Sequence, residues 1–168
     1  MGYVHDTQMA QVIHPSECLY TAGTWTDTVA SNVWSTNRTA ADATFVIQIP
    51  VKLPQNAAAL KGAYLRSLDV WYTIGTAAMD AVSAALYKAG LPANAGSWSA
   101  AAVTTSYDTG HDTAAERYAV ATHKLSLTLT TPAWLDDDDY YYVELDCDAA
   151  ATSVFKFYGA RLNYTLRL

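Results

Sequence analysis

The side chains best equipped for chemistry in this chain are four consecutive aspartates (Asp136, Asp137, Asp138 and Asp139), four histidines, three glutamates and a large set of tyrosines and tryptophans. Carboxylate oxygens are hard ligands for Ca²⁺, so the aspartate run is the first metal candidate. A calcium loop spaces its acids and places a glycine at the sharp turn. Four contiguous acids lack that spacing, and neighbouring side chains of an extended segment point apart. The run reads as a solvated turn, and no metal or cofactor is assigned. A histidine base needs a nucleophile within reach and a third group to orient it. His5 and His14 lie in an irregular opening stretch, His111 sits close to Asp108 and beside Asp112, and His123 precedes Lys124. No GxSxG or HExxH pattern accompanies them, so they read as loop or surface residues. Glycosidases need two carboxylates across a cleft. Glu17, Glu116 and Glu144 are the only glutamates, and no motif flanks Glu144. No catalytic residue is assigned, and the chain reads as a non-enzyme.

The aromatics are the stronger lead. Tyr140, Tyr142 and Glu144 should share one strand face, with Tyr141, Val143 and Leu145 on the other. Trp71 lies opposite the inward set of its strand, and Trp25, Trp34, Trp98 and Trp134 sit in or near loops. Three readings stay open. The rings form a platform for sugar rings, as in carbohydrate-binding modules; they anchor contacts between subunits; or they cap the core from both sides.

The elements that position these residues are strands. Leu68, Val70, Tyr72 and Ile74 alternate with Ser67, Asp69, Trp71 and Thr73, the period of a half-buried strand. Gly75 breaks that run and Val82, Ala84 and Leu86 resume it, with a helix over 77–89 as the rival. Phe45, Ile47, Ile49, Val51 and Leu53 mark a second strong strand. Pro50 cannot donate a ladder bond and predicts an edge or a bulge there. Thr24 to Trp34 reads as β, Ser35 to Asp42 as a polar loop, Trp98 to Tyr107 as a weakly alternating strand, and Asp108 to Arg117 as a loop with room for one helical turn. Tyr118 to Thr130, Tyr140 to Asp146 and Ser153 to Leu168 are further strands, with Thr131 to Asp139 as a turn and Gly159 as a bulge site. About eight strands without intervening helices predict an all-β fold, an antiparallel β-sandwich of jelly-roll type. Residues 1–24 read as an N-terminal arm docked on a neighbouring subunit, and 25–168 as the sandwich domain.

The totals agree with one domain. The chain has 168 residues, 15% of them charged, and a net charge of −6. Nucleic-acid binding calls for clustered Lys and Arg, and the ten basic residues are scattered in sequence. No apolar run approaches a membrane span, and no secretory signal is visible. Cytosolic synthesis is therefore expected. Cys147 shares a strand face with Tyr141, Val143 and Leu145 and packs as a small hydrophobe. A Cys18–Cys147 bridge stays open, because sequence does not fix the distance between the two. The sequons at Asn37 and Asn163 read as chance matches.

The stretches GYVHDTQMAQ, TAGTW (21–25), NRTAADATFVIQIPV (37–51), ALKGAYLRSLDVWYTIGTAAMDAV (59–82) and SVFKFYGARLNYTLRL (153–168) span nearly the whole chain. Over these the protein resembles a group of small uncharacterised β-sandwich structural proteins, of virion-associated type, from bacteriophages and environmental sequences. The resemblance implies a self-assembling subunit of a virion (capsid, decoration or fibre component) or of an extracellular tube or filament. Its partners would be copies of itself and other virion proteins, with neither nucleic acid nor membrane. No active-site residue travels with the resemblance. A carbohydrate-binding β-sandwich module is the alternative.

Overall fold

Alternating burial runs through most of the chain, and twelve strands carry it among the described residues, which are 6–56, 60–92 and 96–167 of this computed structural model. The strands are β1 (Asp6–Ile13), β2 (Leu19–Tyr20), β3 (Trp25–Ala30), β4 (Val33–Arg38), β5 (Ala43–Val51), β6 (Gly62–Gly75), β7 (Ala81–Gly90), β8 (Ser99–Val103), β9 (Thr105–Tyr107), β10 (Thr122–Trp134), β11 (Asp139–Ala149) and β12 (Val154–Arg167). A 3-10 turn spans Pro15–Glu17, and one short helix, α1, spans Ala114–Tyr118. No helix among the described residues is long and apolar enough to cross a membrane.

Pairing is nested. β7 pairs with β8, β6 with β10, β5 with β11 and β4 with β12, all antiparallel. These pairs distribute over two sheets, one in the order β3-β4-β12-β6-β10-β9 with β1 beside β12, the other β2-β5-β11-β7-β8. A long hairpin rolled in this way is a jelly roll. Eight strands make that core, and β1, β2, β3 and β9 are additions at its edges.

The core lies between the sheets. Leu68, Val70, Tyr72 and Ile74 of β6 face Ile47 and Ile49 of β5 and Val143 and Leu145 of β11 across it, all at most 1% exposed. Ring contacts run from one end to the other. Trp25 meets Phe45 at 5.3 Å, Phe45 meets Phe155 at 5.3 Å, Phe155 meets Tyr72 at 5.4 Å, and Tyr72 meets His123 at 4.6 Å. Truncating any buried Phe of this series would cost about 3–5 kcal/mol. Gly159 seats the expected bulge. Its φ is +115°, the β6–β12 register shifts there, and an added Cβ would lie 2.5 Å from the Ile13 carbonyl oxygen.

Several local expectations change. Residues 35–38 are not a loop. They complete β4, where Ser35, Thr36 and Arg38 are buried; Ser35 bonds Thr28 and Asn37, Thr36 bonds Asp27, and the two Arg38 Nη atoms donate to the Ala41 and Ala43 carbonyls. Hydrogen-bonded polar residues can enter a strand that their composition argues against. The opening stretch is regular over 6–13. There β1 pairs with residues 160–167 of β12 in the same chain, closed by an Arg167–Asp6 pair at 2.6 and 2.7 Å. A free β12 edge and an opposite charge at its end hold the segment on its own sheet, while Tyr3 and His5 lie outside the described residues. Within 77–89 the strand reading holds from residue 81 on, as β7 (Ala81–Gly90). The turn expected over 131–139 is shorter, because β10 runs on to Trp134 through a register shift after Thr128. Pro50 lies opposite Tyr142, beyond the point where β2 ends against Gln48. Cys18 and Cys147 are both free thiols, Cys147 buried.

Candidate functional site

The outer face of the five-stranded sheet is built by parity. Because Tyr141, Val143, Leu145 and Cys147 point into the core, Tyr140, Tyr142, Glu144, Asp146 and Asp148 of β11 point out. Register then sets their neighbours. Tyr142 stands between Pro50 of β5 and Tyr87 of β7, and Glu144 between Gln48 and Ala85. Tyr142 stacks on Tyr87 with centroids 5.3 Å apart and planes 16° off parallel, and on Tyr140 at 5.8 Å and 24°. These are offset stacks, which aromatic quadrupoles favour. The three tyrosines make a ridge, and Tyr140 stays 45% exposed.

Depressions flank the ridge. One, of about 280 Å³, is lined by Glu17, Leu19, Gln48, Pro50, Tyr140, Tyr141 and Tyr142. Another, of about 140 Å³, lies between Trp98 and Tyr140 over Ala89, Ser99 and Ala100. Trp98 is 69% exposed. Alanines at 89, 100 and 102 keep that half of the sheet low, so a flat ligand could reach the aromatic walls.

Polar groups are placed along the first depression. The Gln48 amide donates to Glu144 Oε2 at 3.4 Å, a long bond that a better partner could displace. Burial, followed by the charge of Glu144, pushes the Tyr142 phenol up, so it stays a proton donor at neutral pH. Glu17 is held below the usual carboxylate range first by the His14 backbone N–H and also by Lys52, against burial. A glycosidase acid needs a carboxyl raised toward neutrality. Glu17 is shifted the other way, which suits an acceptor for hydroxyl groups and not a proton donor.

Ligand atoms of Asp136, Asp137 and Asp138 lie within 4.8 Å of one another, all exposed, while Asp139 begins β11 and pairs with Lys88 at 2.5 Å. His14 caps the 3-10 turn. The sequence reads His111 and His123 as loop or surface residues; His111 lies in the connection after β9, whereas His123 is buried on a strand, 5% exposed. Its position two residues before Leu125 puts it on the inward face of β10. His123 Nε2 meets the Ala119 carbonyl at 2.9 Å, its Nδ1 lies 3.2 Å from His111 Nε2, and His111 Nδ1 lies 2.9 Å from Asp108 Oδ1. The array pins the 108–119 connection to β10. Sequence parity had indicated Tyr140, Tyr142 and Glu144. It missed Gln48, Pro50, Leu19 and the Tyr87 stack, which join the site only through cross-strand register.

No family model matches this chain, and no curated protein matches it. Among solved structures it is similar to TmCBM61 in complex with β-1,4-galactotriose, at 8% identity and a TM-score of 0.39, covering 92% of this chain and 86% of that one. It is also similar to the family 11 carbohydrate-binding module from Clostridium thermocellum in complex with a β-1,3-1,4-mixed-linked tetrasaccharide, at 8% identity and a TM-score of 0.33, covering 95% and 87%. A third likeness is to the arabinose-bound MgGH51 α-L-arabinofuranosidase, at 8% identity and a TM-score of 0.40, where the match spans 24% of the longer chain. These likenesses are of overall outline alone.

Proposed function

We propose that the chain is a β-sandwich binding module whose outer five-stranded face takes a glycan. The observation that carries the reading is the ridge of Tyr87, Tyr140 and Tyr142 beside the Gln48–Glu144 pair on one open face. A pyranose ring presents an apolar C–H face and a rim of hydroxyls. Aromatic walls take the first, and an amide next to a carboxylate offers both a donor and acceptors to the second. An open groove suits a polymer that enters from either side better than a small molecule needing enclosure.

Retention on insoluble polysaccharides and on a glycan array tests the reading. Tyr142→Ala and Gln48→Ala should each weaken retention by tenfold or more while the melting temperature holds. No glycan retained by the wild type, or retention indifferent to both changes, would overturn it. A second reading, a self-assembling subunit of a phage virion or an extracellular filament, draws on an unequal division of charge between the two outer faces.

A further inference from the structure

The outer face of the seven-stranded sheet carries Arg66, Lys124, Lys156, Arg161 and Arg167, half of the chain's ten basic residues. Among its sixteen acids only Asp6 and Asp69 share that face. Lys124 and Arg161 both lean on the one Asp69 carboxylate, at 3.6 and 2.6 Å, so one positive charge is left over. Aromatic rings interleave with the cations. Lys124 and Arg161 lie 6.0 and 5.5 Å from the Trp71 ring, Arg66 lies 5.5 Å from Tyr64, and Arg167 lies 5.0 Å from Trp134.

The opposite outer face holds the reverse. Glu144, Asp146 and Asp148 line up at alternate positions of β11, about 7 Å apart. Their cross-strand neighbours are Gln48, Val46 and Thr44 on one side and Ala85, Ser83 and Ala81 on the other, none of them basic. Among the described residues none of the three acids makes an ion pair. Like charges in such a row repel, and a cationic surface laid over them would relieve that.

We propose that the basic face of one copy docks on the acidic β11 row of a second copy. The two surfaces are different, so the contact is heterologous, and a docked pair keeps one unused surface of each kind. Such contacts propagate into an open filament or close into a ring. Trp71, Tyr64 and Trp134 are the aromatic anchors on the basic side, the residue type that dominates interface energetics. The glycan reading shares Glu144 with this row, so the test uses Asp146 and Lys156, neither of which lines the tyrosine groove.

Salt gives a test with opposite signs. A net charge of −6 holds copies apart most strongly at low ionic strength, whereas patch-on-patch docking is strongest there. Sedimentation velocity of the full chain at neutral pH, at about 0.01 M and about 1 M salt, spans Debye lengths of about 30 to 3 Å. The expected result is concentration-dependent assembly at low salt that dissolves at high salt. Asp146→Lys removes one surface and Lys156→Glu the other, and each variant alone should sediment as a single subunit with an unchanged melting temperature. An equimolar mixture of the two should give a two-subunit complex and nothing longer, since one intact surface of each kind remains. Asp42→Lys makes the same change in net charge on an exposed loop and should leave assembly intact. A wild type that stays a single subunit at low salt, or a variant mixture that does not pair, would overturn the proposal. So would a monomeric wild type that binds single-stranded DNA or an acidic polysaccharide and loses it on Lys156→Glu, which would give the face to a polyanion.

Discussion

His123 lies flat against Tyr72, with ring centroids 4.6 Å apart and planes 17° off parallel. Burial pushes the His123 pKa down, the Ala119 carbonyl works against that shift, and the charge of His111 adds to it. The folded value is therefore below the unfolded one, near 6.5. Between the two values the unfolded chain binds more protons, so stability is lost as pH falls through that window. Thermal melts at constant ionic strength should show a falling midpoint from about pH 7 to about pH 5. His123→Gln, which keeps a donor for Ala119, should flatten that slope.

Asp69 gives a second, more acidic dependence. Burial alone would raise its pKa, but Ser126, Arg161 and Asn163 donate to it, Lys124 adds its charge, and the net shift is downward. Its contribution is complete above the unfolded carboxyl value near 3.9 and is lost as pH falls through the lower folded value. Asp69→Asn should cost about 1.5–3 kcal/mol at neutral pH, the range for hydrogen bonds to a charged group. Denaturant titrations should show that difference shrinking at about pH 2–3.

Two glycines separate backbone need from simple tolerance. Gly159→Ala places a side chain at φ +115° and drives it against the Ile13 carbonyl oxygen, so a loss of about 1–3 kcal/mol is the minimum. At this chain length that lowers the melting midpoint by roughly 2–4 °C per kcal/mol. Gly75→Ala would meet only the Val154 Cβ at 3.9 Å with no positive φ, and should be neutral or slightly stabilising. Equal effects in calorimetry would contradict the account of the bulge.

Arg38 is 2% exposed, and among the described residues it makes no ion pair with a carboxylate. Its guanidinium bonds the Ala41 and Ala43 carbonyls, lies 4.6 Å from the centre of the Phe45 ring, and leaves Nε without a partner. A buried charge is often replaced without loss by an apolar side chain of similar volume. Arg38→Met should thus keep stability within about 1 kcal/mol or raise it. Arg38→Ala, which leaves a void, should cost about 2–5 kcal/mol. Urea denaturation of both variants decides the matter.

Strands with one wet and one dry face were legible in the sequence, because alternation records burial directly. β5, β6, β11 and β12 belong to that class. β1 was not legible, since Asp6 to Ala10 are exposed on both faces and nothing there alternates. β4 was hidden by the polarity of Ser35, Thr36 and Arg38. Parity placed Tyr140, Tyr142 and Glu144 on one face, yet Gln48 and Tyr87 reach them through pairings almost 100 and 55 positions apart, and local pattern carries no such information. His123 could have been found, because it continues the inward series of Leu125, Leu127 and Leu129.

β12 is flanked by β6 along one edge and by β4 and β1 in succession along the other. Three strands that precede it in the chain thus have no inner partner until it is in place. Without it, the sheet that holds Tyr72 and Leu68 has a gap in its middle, with the edges of β4 and β6 bare. Pairings so distant in sequence are slow to form, and bare edges invite pairing with other chains meanwhile. Deleting β12 should give inclusion bodies in place of a shortened soluble fold.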